Sequence, residues 1–216
     1  MRTEEAIRNR RTHKMKGDAG NPLPITKGKE FRQTMEELIA LAGRAPFHYT
    51  SEENLRSKEL EGAEPWRFHA LECTTCRSLL KDFNEDRPIK CSDGIKQMLA
   101  VADGLILTTW LPEGSSKLDR KYYPNIKNME HIAATGAAIQ NLLLAATSRG
   151  IANYWSSGGC FRKPKMMQYL GIPEHEILLG ALFLFPETDR EDVIVKPGKN
   201  TDQRGAPSAW ANWIKK

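Results

Sequence analysis

The residues best equipped for chemistry lie near the two ends of the chain and at one turn between them. Arg10-Arg11-Thr12-His13-Lys14 puts three cations and a hydroxyl within five residues. Arginine offers forked donors to phosphate oxygens, threonine a hydroxyl, and lysine a point charge. If the segment is extended, Arg10, Thr12 and Lys14 point to one side. Such a run taken alone is more often solvated basic surface. Ser156-Ser157-Gly158-Gly159 forms a turn that can present backbone N–H groups without large side chains in the way. Lys199 and Arg204 add cations towards the C-terminus. The chemistry these types share is anion binding, and a small phosphorylated ligand is the economical occupant.

The element that must position the turn runs from His131 to Gly159. Apolar residues recur at Ile132, Gly136, Ile139, Leu143 and Ala146, and again at Ala133, Ala137 and Leu144. Both series have helical spacing and together cover more than one face. Such a helix is buried in a large core or shared between subunits. Ala133, Gly136, Ala137 and Ala138 are small enough for a second helix to approach closely. Gly150 stops the helix, and Ile151–Trp155 delivers the turn.

A chain of 216 residues suits one large domain or two small ones. Hydrophobic residues are 40% and charged residues 27%, ordinary for a globular protein. No apolar run reaches the ~20 residues that span a bilayer. The N-terminus is polar and lacks the apolar core of a signal peptide, so the expected location is cytoplasmic. The formal charge is +5 and the pI about 9.0, but the basic residues are dispersed and form no stripe with aromatics, so nucleic acid is not the expected partner. Cys73, Cys76, Cys91 and Cys160 are expected as reduced thiols in that compartment. Cys73-Thr-Thr-Cys76 lacks a second pair to complete a metal site and reads as a strand end entering a helix.

Taken in order, the pattern predicts a short helix over Glu4–Asn9, a loop through Pro22 and Pro24, and an amphipathic helix over Lys29–Ala42. Residues 47–64 are polar and aperiodic, a lid-like insertion with a short helix near Glu52–Leu60. A strand follows Pro65, then helices over Thr75–Phe83 and Ser92–Ala102, and a central strand over Gly104–Trp110. Leu111–Lys127 is a loop carrying Tyr122 and Tyr123. After the long helix come a helix over Lys163–Leu170 and a buried strand over Glu176–Phe185. The tail, residues 196–216, is basic and ends in Trp210 and Trp213, suited to docking on a partner. Helices alternating with a few strands around one sheet give an α/β or α+β class.

The order of these motifs resembles the nitroreductase family of FMN-dependent oxidoreductases. The motifs are the RRT-K segment, the Ala-Pro before a Pro-Trp-Arg-Phe strand, AIQNLLLAATSRGI, Trp-Ser-Ser-Gly-Gly, and Leu-Gly-Ile-Pro-Glu before an apolar strand. The match runs from about Ala6 to about Pro207. It implies a single α+β domain over residues 1–216, with a central mixed sheet flanked by helices. It also implies a homodimer packed on the long helix, with FMN at the subunit interface. Arg10, Thr12 and Lys14 match the family's N-terminal flavin motif, with Arg11 between them. Ser156, Ser157 and Gly158 match the turn beside flavin N5 and O4, with Gly159 following. Arg204 matches the cation that reaches the phosphate, and Lys199 is placed to share it. Phe47 and His48 stand where the backbone would touch the flavin. Glu64 replaces the family's Gln, and the cation near flavin N1 has only Lys96 as a rough match. Gln140 and Asn141 read as structural.

The resemblance further implies ping-pong hydride transfer from NADH or NADPH through flavin N5 to a nitroaromatic, a quinone or a similar electron-poor small molecule. The flavin carries the redox step, so no catalytic acid, nucleophile or metal ligand is assigned. The 47–64 segment leaves room for another reaction on the same fold: flavin cleavage, dehalogenation or azoline oxidation. A non-catalytic flavin-binding protein is a further alternative.

Overall fold

A computed structural model describes all residues except 26, 86–88, 115–124, 188–189 and 215–216. Its central sheet runs in the order β2 (Trp66–Glu72), β3 (Gly104–Trp110), β5 (Ile177–Phe185), β4 (Ala152–Ser156). β3 is buried along its whole length, as its unbroken GLILTTW run predicts. Every described pairing in this sheet is antiparallel, which corrects the expected mixed sheet. The reason lies in the connections. Between β2 and β3 the chain passes through α3 (Cys73–Asn84) and α4 (Asp93–Leu99) and re-enters at the end it left, so that Glu72 pairs with Gly104.

Alternate strand residues feed two cores, one on each face. On one face Leu105, Leu107, Phe183 and Phe185 pack with Leu79, Leu80, Met98 and Leu99 from α3 and α4, and with Met166 from α6 (Pro164–Tyr169). On the other face Ile106, Leu182 and Leu184 pack with Leu38 of α2 (Lys29–Ala42) and with Ile139, Leu142 and Leu143 of α5 (Ile126–Ser148). Each such fully buried side chain contributes about 1.5–3 kcal/mol relative to exposure. Cys73 and Cys76 begin α3 and are buried, where desolvation pushes both thiols up, Cys76 to about 12.

α5 starts earlier than its apolar run because the Asn125 side chain caps it, accepting from Asn128 N–H at 2.8 Å. Over 23 residues it is about 34 Å long. Ala134, Ala138, Ile139, Leu142 and Ala146 are buried within the chain. The opposite stripe is uncovered: Met129 is 58% exposed, Ala133 and Gln140 are exposed, and Gly136 has open space where a Cβ would stand. Ala138 is therefore spent on the internal core.

Two short strands escaped sequence reasoning. β1 (Lys14–Lys16) pairs with β6 (Ile194–Lys196), Lys14 opposite Lys196, and joins the two ends of the chain. Strands of three residues carry too little alternation to be read. α1 (Thr3–Asn9) precedes β1 as expected. The helix expected near Glu52–Leu60 is a single 3-10 turn, Glu53–Leu55. Part of the expected loop at Leu111–Lys127, including Tyr122 and Tyr123, lies outside the described residues.

The cysteines correct another expectation. Cys91, just before α4, and Cys160, just after the glycine turn, form a disulfide with Cα atoms 5.2 Å apart. They are 69 residues apart, so only the fold brings them together. Cys73 and Cys76 are free.

Candidate functional site

The basic segment at the N-terminus lies along β4, held by a bond from His13 N–H to Asn153 O at 3.0 Å. Arg10 ends α1, its N–H bonded to Ala6 O at 2.8 Å. The β1–β6 pairing then returns the C-terminal tail to the same place, and a 3-10 turn over Thr201–Gln203 leads into Arg204. Both termini thus reach one cleft of about 520 Å³, lined by Arg10, Thr12 and Arg204, by Trp155 and Ser157 at the end of β4, by Gln140 and Leu143 of α5, and by Leu179 and Arg162.

The cationic end of the cleft is under-neutralised. Among the described residues neither Arg10 nor Arg204 has a carboxylate partner. Burial lowers the Arg10 pKa first, and the neighbouring charges of Arg204 and Arg11 lower it further. Buried or facing cations without counter-ions are costly alone and are relieved by a bound anion. Thr12 adds a hydroxyl. This donor set fits a phosphate.

The other end is shaped by the turn. Gly158 has φ +103°, and a Cβ there would lie 2.5 Å from Leu178 Cδ2, so only glycine fits. Its amide donates to Ser156 Oγ at 3.2 Å, which makes buried Ser156 a brace of the turn while Ser157 faces the cleft. Gly159 faces Ile95 on the core side. Trp155 is 38% exposed and lies over Gly180, whose missing Cβ would meet the indole Nε1 at 2.1 Å. An apolar ring wall beside a polar turn suits a flat heteroaromatic ligand.

Arg162 closes the back of the cleft. Its Nε donates to Ser157 O, Nη1 to Leu178 O at 2.6 Å and Nη2 to Leu179 O at 3.0 Å. A second cavity of about 210 Å³ lies behind it, walled by Met167, Glu174, Glu176 and Ile177. Glu176 is buried there, its Oε2 accepting from Thr109 Oγ1 and facing His69 Nε2 at 2.7 Å.

The remaining predicted residues fall outside the lining. Arg11 turns to its own chain, donating to Arg8 O and Arg10 O. Lys14 sits over the Tyr154 ring at 5.4 Å. Its pKa is lowered by burial, then by Lys16, Lys199 and Lys196, which locates exposed Lys199 in the same cationic group. Lys96 does not line the cleft. Phe47 packs edge-on against Trp66 at 5.4 Å, and His48 Nδ1 lies 3.2 Å from the Glu130 carboxylate, both away from the cleft. Arg67 fixes the end of the 47–64 segment by donating to the carbonyls of Gly62 and Glu64, both at 2.8 Å. Gln140 is exposed in the cleft and is not the structural amide expected.

Trp155, Arg162, Leu143 and Leu179 were missed as site residues. The aromatic at Trp155 was visible in the turn motif, and Gly180 inside an apolar strand signals a close approach. Nothing in the sequence marks Arg162.

A family model described as "Nitroreductase family" matches residues 31–184. The structure is similar to that of a nitroreductase-like protein from Bacillus cereus, with a TM-score of 0.61 and 18% identity, covering 100% of this chain and 97% of that one. It is similar to a nitroreductase with bound FMN from Bacteroides fragilis, with a TM-score of 0.54 and 16% identity, covering 100% of both chains. It is also similar to a candidate NADH dehydrogenase/NAD(P)H nitroreductase from Parabacteroides distasonis, with a TM-score of 0.52 and 22% identity, covering 96% of this chain and 98% of that one.

Proposed function

The chain belongs to the nitroreductase family, and on that premise we propose that it is an FMN-dependent oxidoreductase passing electrons from NADH or NADPH to a nitroaromatic, a quinone or a similar electron-poor small molecule. The observation that carries this reading is the cleft where Arg10, Thr12 and Arg204 converge beyond Trp155 and Ser157. When bound, FMN would supply the hydride-transfer chemistry, which none of the cleft's side chains carries. The chain's residues bind and orient. Arg10, Arg204 and the Thr12 hydroxyl hold the phosphate. Trp155, Leu143 and Leu179 exclude water from the ring. Lys14, with Lys196 opposite and Lys199 near, adds to the positive field that attracts an anion to the cleft. Protons for the product come from solvent.

A homodimer and a single domain over residues 1–216 complete the reading. The uncovered stripe of α5 at Met129, Ala133 and Gly136 supports a second copy packing there. His48 stands beside Glu130 near the start of α5, whereas Gln140 and Leu143 line the cleft farther along it. Antiparallel packing of two α5 helices about a two-fold axis would bring Phe47 and His48 of one copy to the cleft of the other. Trp210 and Trp213, 72% and 90% exposed, supply the tail that docks on the partner. We place the protein in the cytoplasm. Among the described residues no helix is long and apolar enough to cross a membrane.

Steady-state kinetics test the reaction. With NADPH and a quinone varied together, one shared slot gives parallel double-reciprocal lines; converging lines contradict it. Light scattering should give twice the 24.4 kDa chain mass. The 47–64 segment, whose end Arg67 fixes, lines no part of its own chain's cleft and leaves room for a second reading with another reaction or pure flavin binding. Bound FMN that neither nicotinamide reduces would select that reading.

A further inference from the structure

We infer that Arg162 is the cation that sets the reduction potential of the ring bound in this cleft. The inference rests on the flavin reading above.

Arg162 is exposed, yet its side chain is tied to the backbone of two neighbouring segments. All three nitrogen positions of its guanidinium are committed to backbone carbonyls: Ser157 O in the turn, Leu178 O and Leu179 O in β5. Carbonyls orient the group but do not cancel its charge. Among the described residues no carboxylate lies within ion-pair distance of it. Glu176, which shares the cavity behind, is engaged with His69 and Thr109. The exposed guanidinium therefore carries a positive charge with no direct carboxylate partner among the described residues, in the wall shared with Trp155 and Ser157.

The position separates Arg162 from the other cations. Arg10 and Arg204 serve the end that suits the phosphate. Lys14 is drawn over Tyr154. Arg162 belongs to the turn end, where the ring lies. A fixed positive charge there favours the electron-rich state of the ring over the oxidised one. Its fork also fixes the Ser157 carbonyl, so charge and geometry must be tested apart.

Three variants do this with FMN-loaded protein and a reference dye. Arg162→Gln removes the charge and keeps an amide donor. Arg162→Lys keeps the charge and loses the fork. The two-electron equilibrium constant for reduction should fall about tenfold in Arg162→Gln, a drop of about 30 mV. In Arg162→Lys it should stay within about twofold, about 9 mV. Sulfite, which bonds to flavin N5 through its sulfur lone pair and leaves the negative charge on the ring, should bind about tenfold more weakly to Arg162→Gln only. Should Arg162→Gln fail to fold, Arg162→His offers the comparison within one protein. Its potential should fall as the imidazole loses its proton, beyond the wild-type pH dependence. Equal potentials in wild type and Arg162→Gln, an equal fall in Gln and Lys variants, or no added pH step in Arg162→His would overturn the inference. A wild-type chain that holds no FMN overturns the functional reading as well; a held flavin with unmoved potential overturns this inference alone.

Discussion

Arg10 and Arg204 come from opposite ends of the chain and line one cleft, and among the described residues neither pairs with a carboxylate. The small β1–β6 sheet makes this possible by joining the terminal segments. Like charges held together without a counter-ion are a cost that a bound phosphate removes.

Arg204→Ala should therefore weaken FMN binding by at least tenfold, about 1.4 kcal/mol. Raised salt should weaken the wild type more than the variant. Fluorescence titration of apoprotein with FMN measures both. Equal affinity in the two proteins would separate the tail from the phosphate.

Gly180 lets the Trp155 indole lie close over β5. Gly180→Ala places a Cβ 2.1 Å from the present Nε1 position and drives the ring towards the cleft. FMN affinity should drop, and stability should fall by about 1–3 kcal/mol from overpacking. Trp155→Ala in the Gly180→Ala background should recover part of both. Thermal melts with and without FMN read the two effects.

Asp103 is buried, and its Oδ2 has no hydrogen-bond partner; the Lys27 ammonium stands 3.8 Å away. Burial raises its pKa, more than Lys27 lowers it. A carboxyl with a raised folded pKa adds stability below its unfolded pKa and loses it as pH rises through the folded value. At neutral pH the ionised group is thus a net cost. Asp103→Asn should melt higher than wild type at pH 7, and the gain should vanish as pH falls through the acid range. Melts from pH 3 to 7 test the sign.

The Cys91–Cys160 disulfide closes a separation of 69 residues. In the chain-entropy view such a link contributes about 4 kcal/mol. Reductant should lower the melting temperature of wild type but not of Cys160→Ser, and thiol counting should rise by two.

Much of this architecture was legible in the sequence. The β3 run, the α5 apolar series and the glycine turn each carry their signal within one segment. Arg10, Thr12, Ser157 and Arg204 were named because residue type and motif order marked them. Arg162, Trp155 over Gly180, and the β1–β6 pairing were not, because each depends on a partner distant in sequence or on a strand too short to show alternation. The sheet direction and the disulfide are likewise set by how α3 and α4 return the chain. Local pattern does not encode that return.

The visible spectrum of the purified protein, followed by anaerobic addition of NADPH, tests cofactor and electron donor together. An FMN-dependent oxidoreductase shows the two absorption bands of oxidised flavin, which bleach on NADPH addition and return with a quinone. A colourless protein that FMN does not reconstitute would contradict that reading.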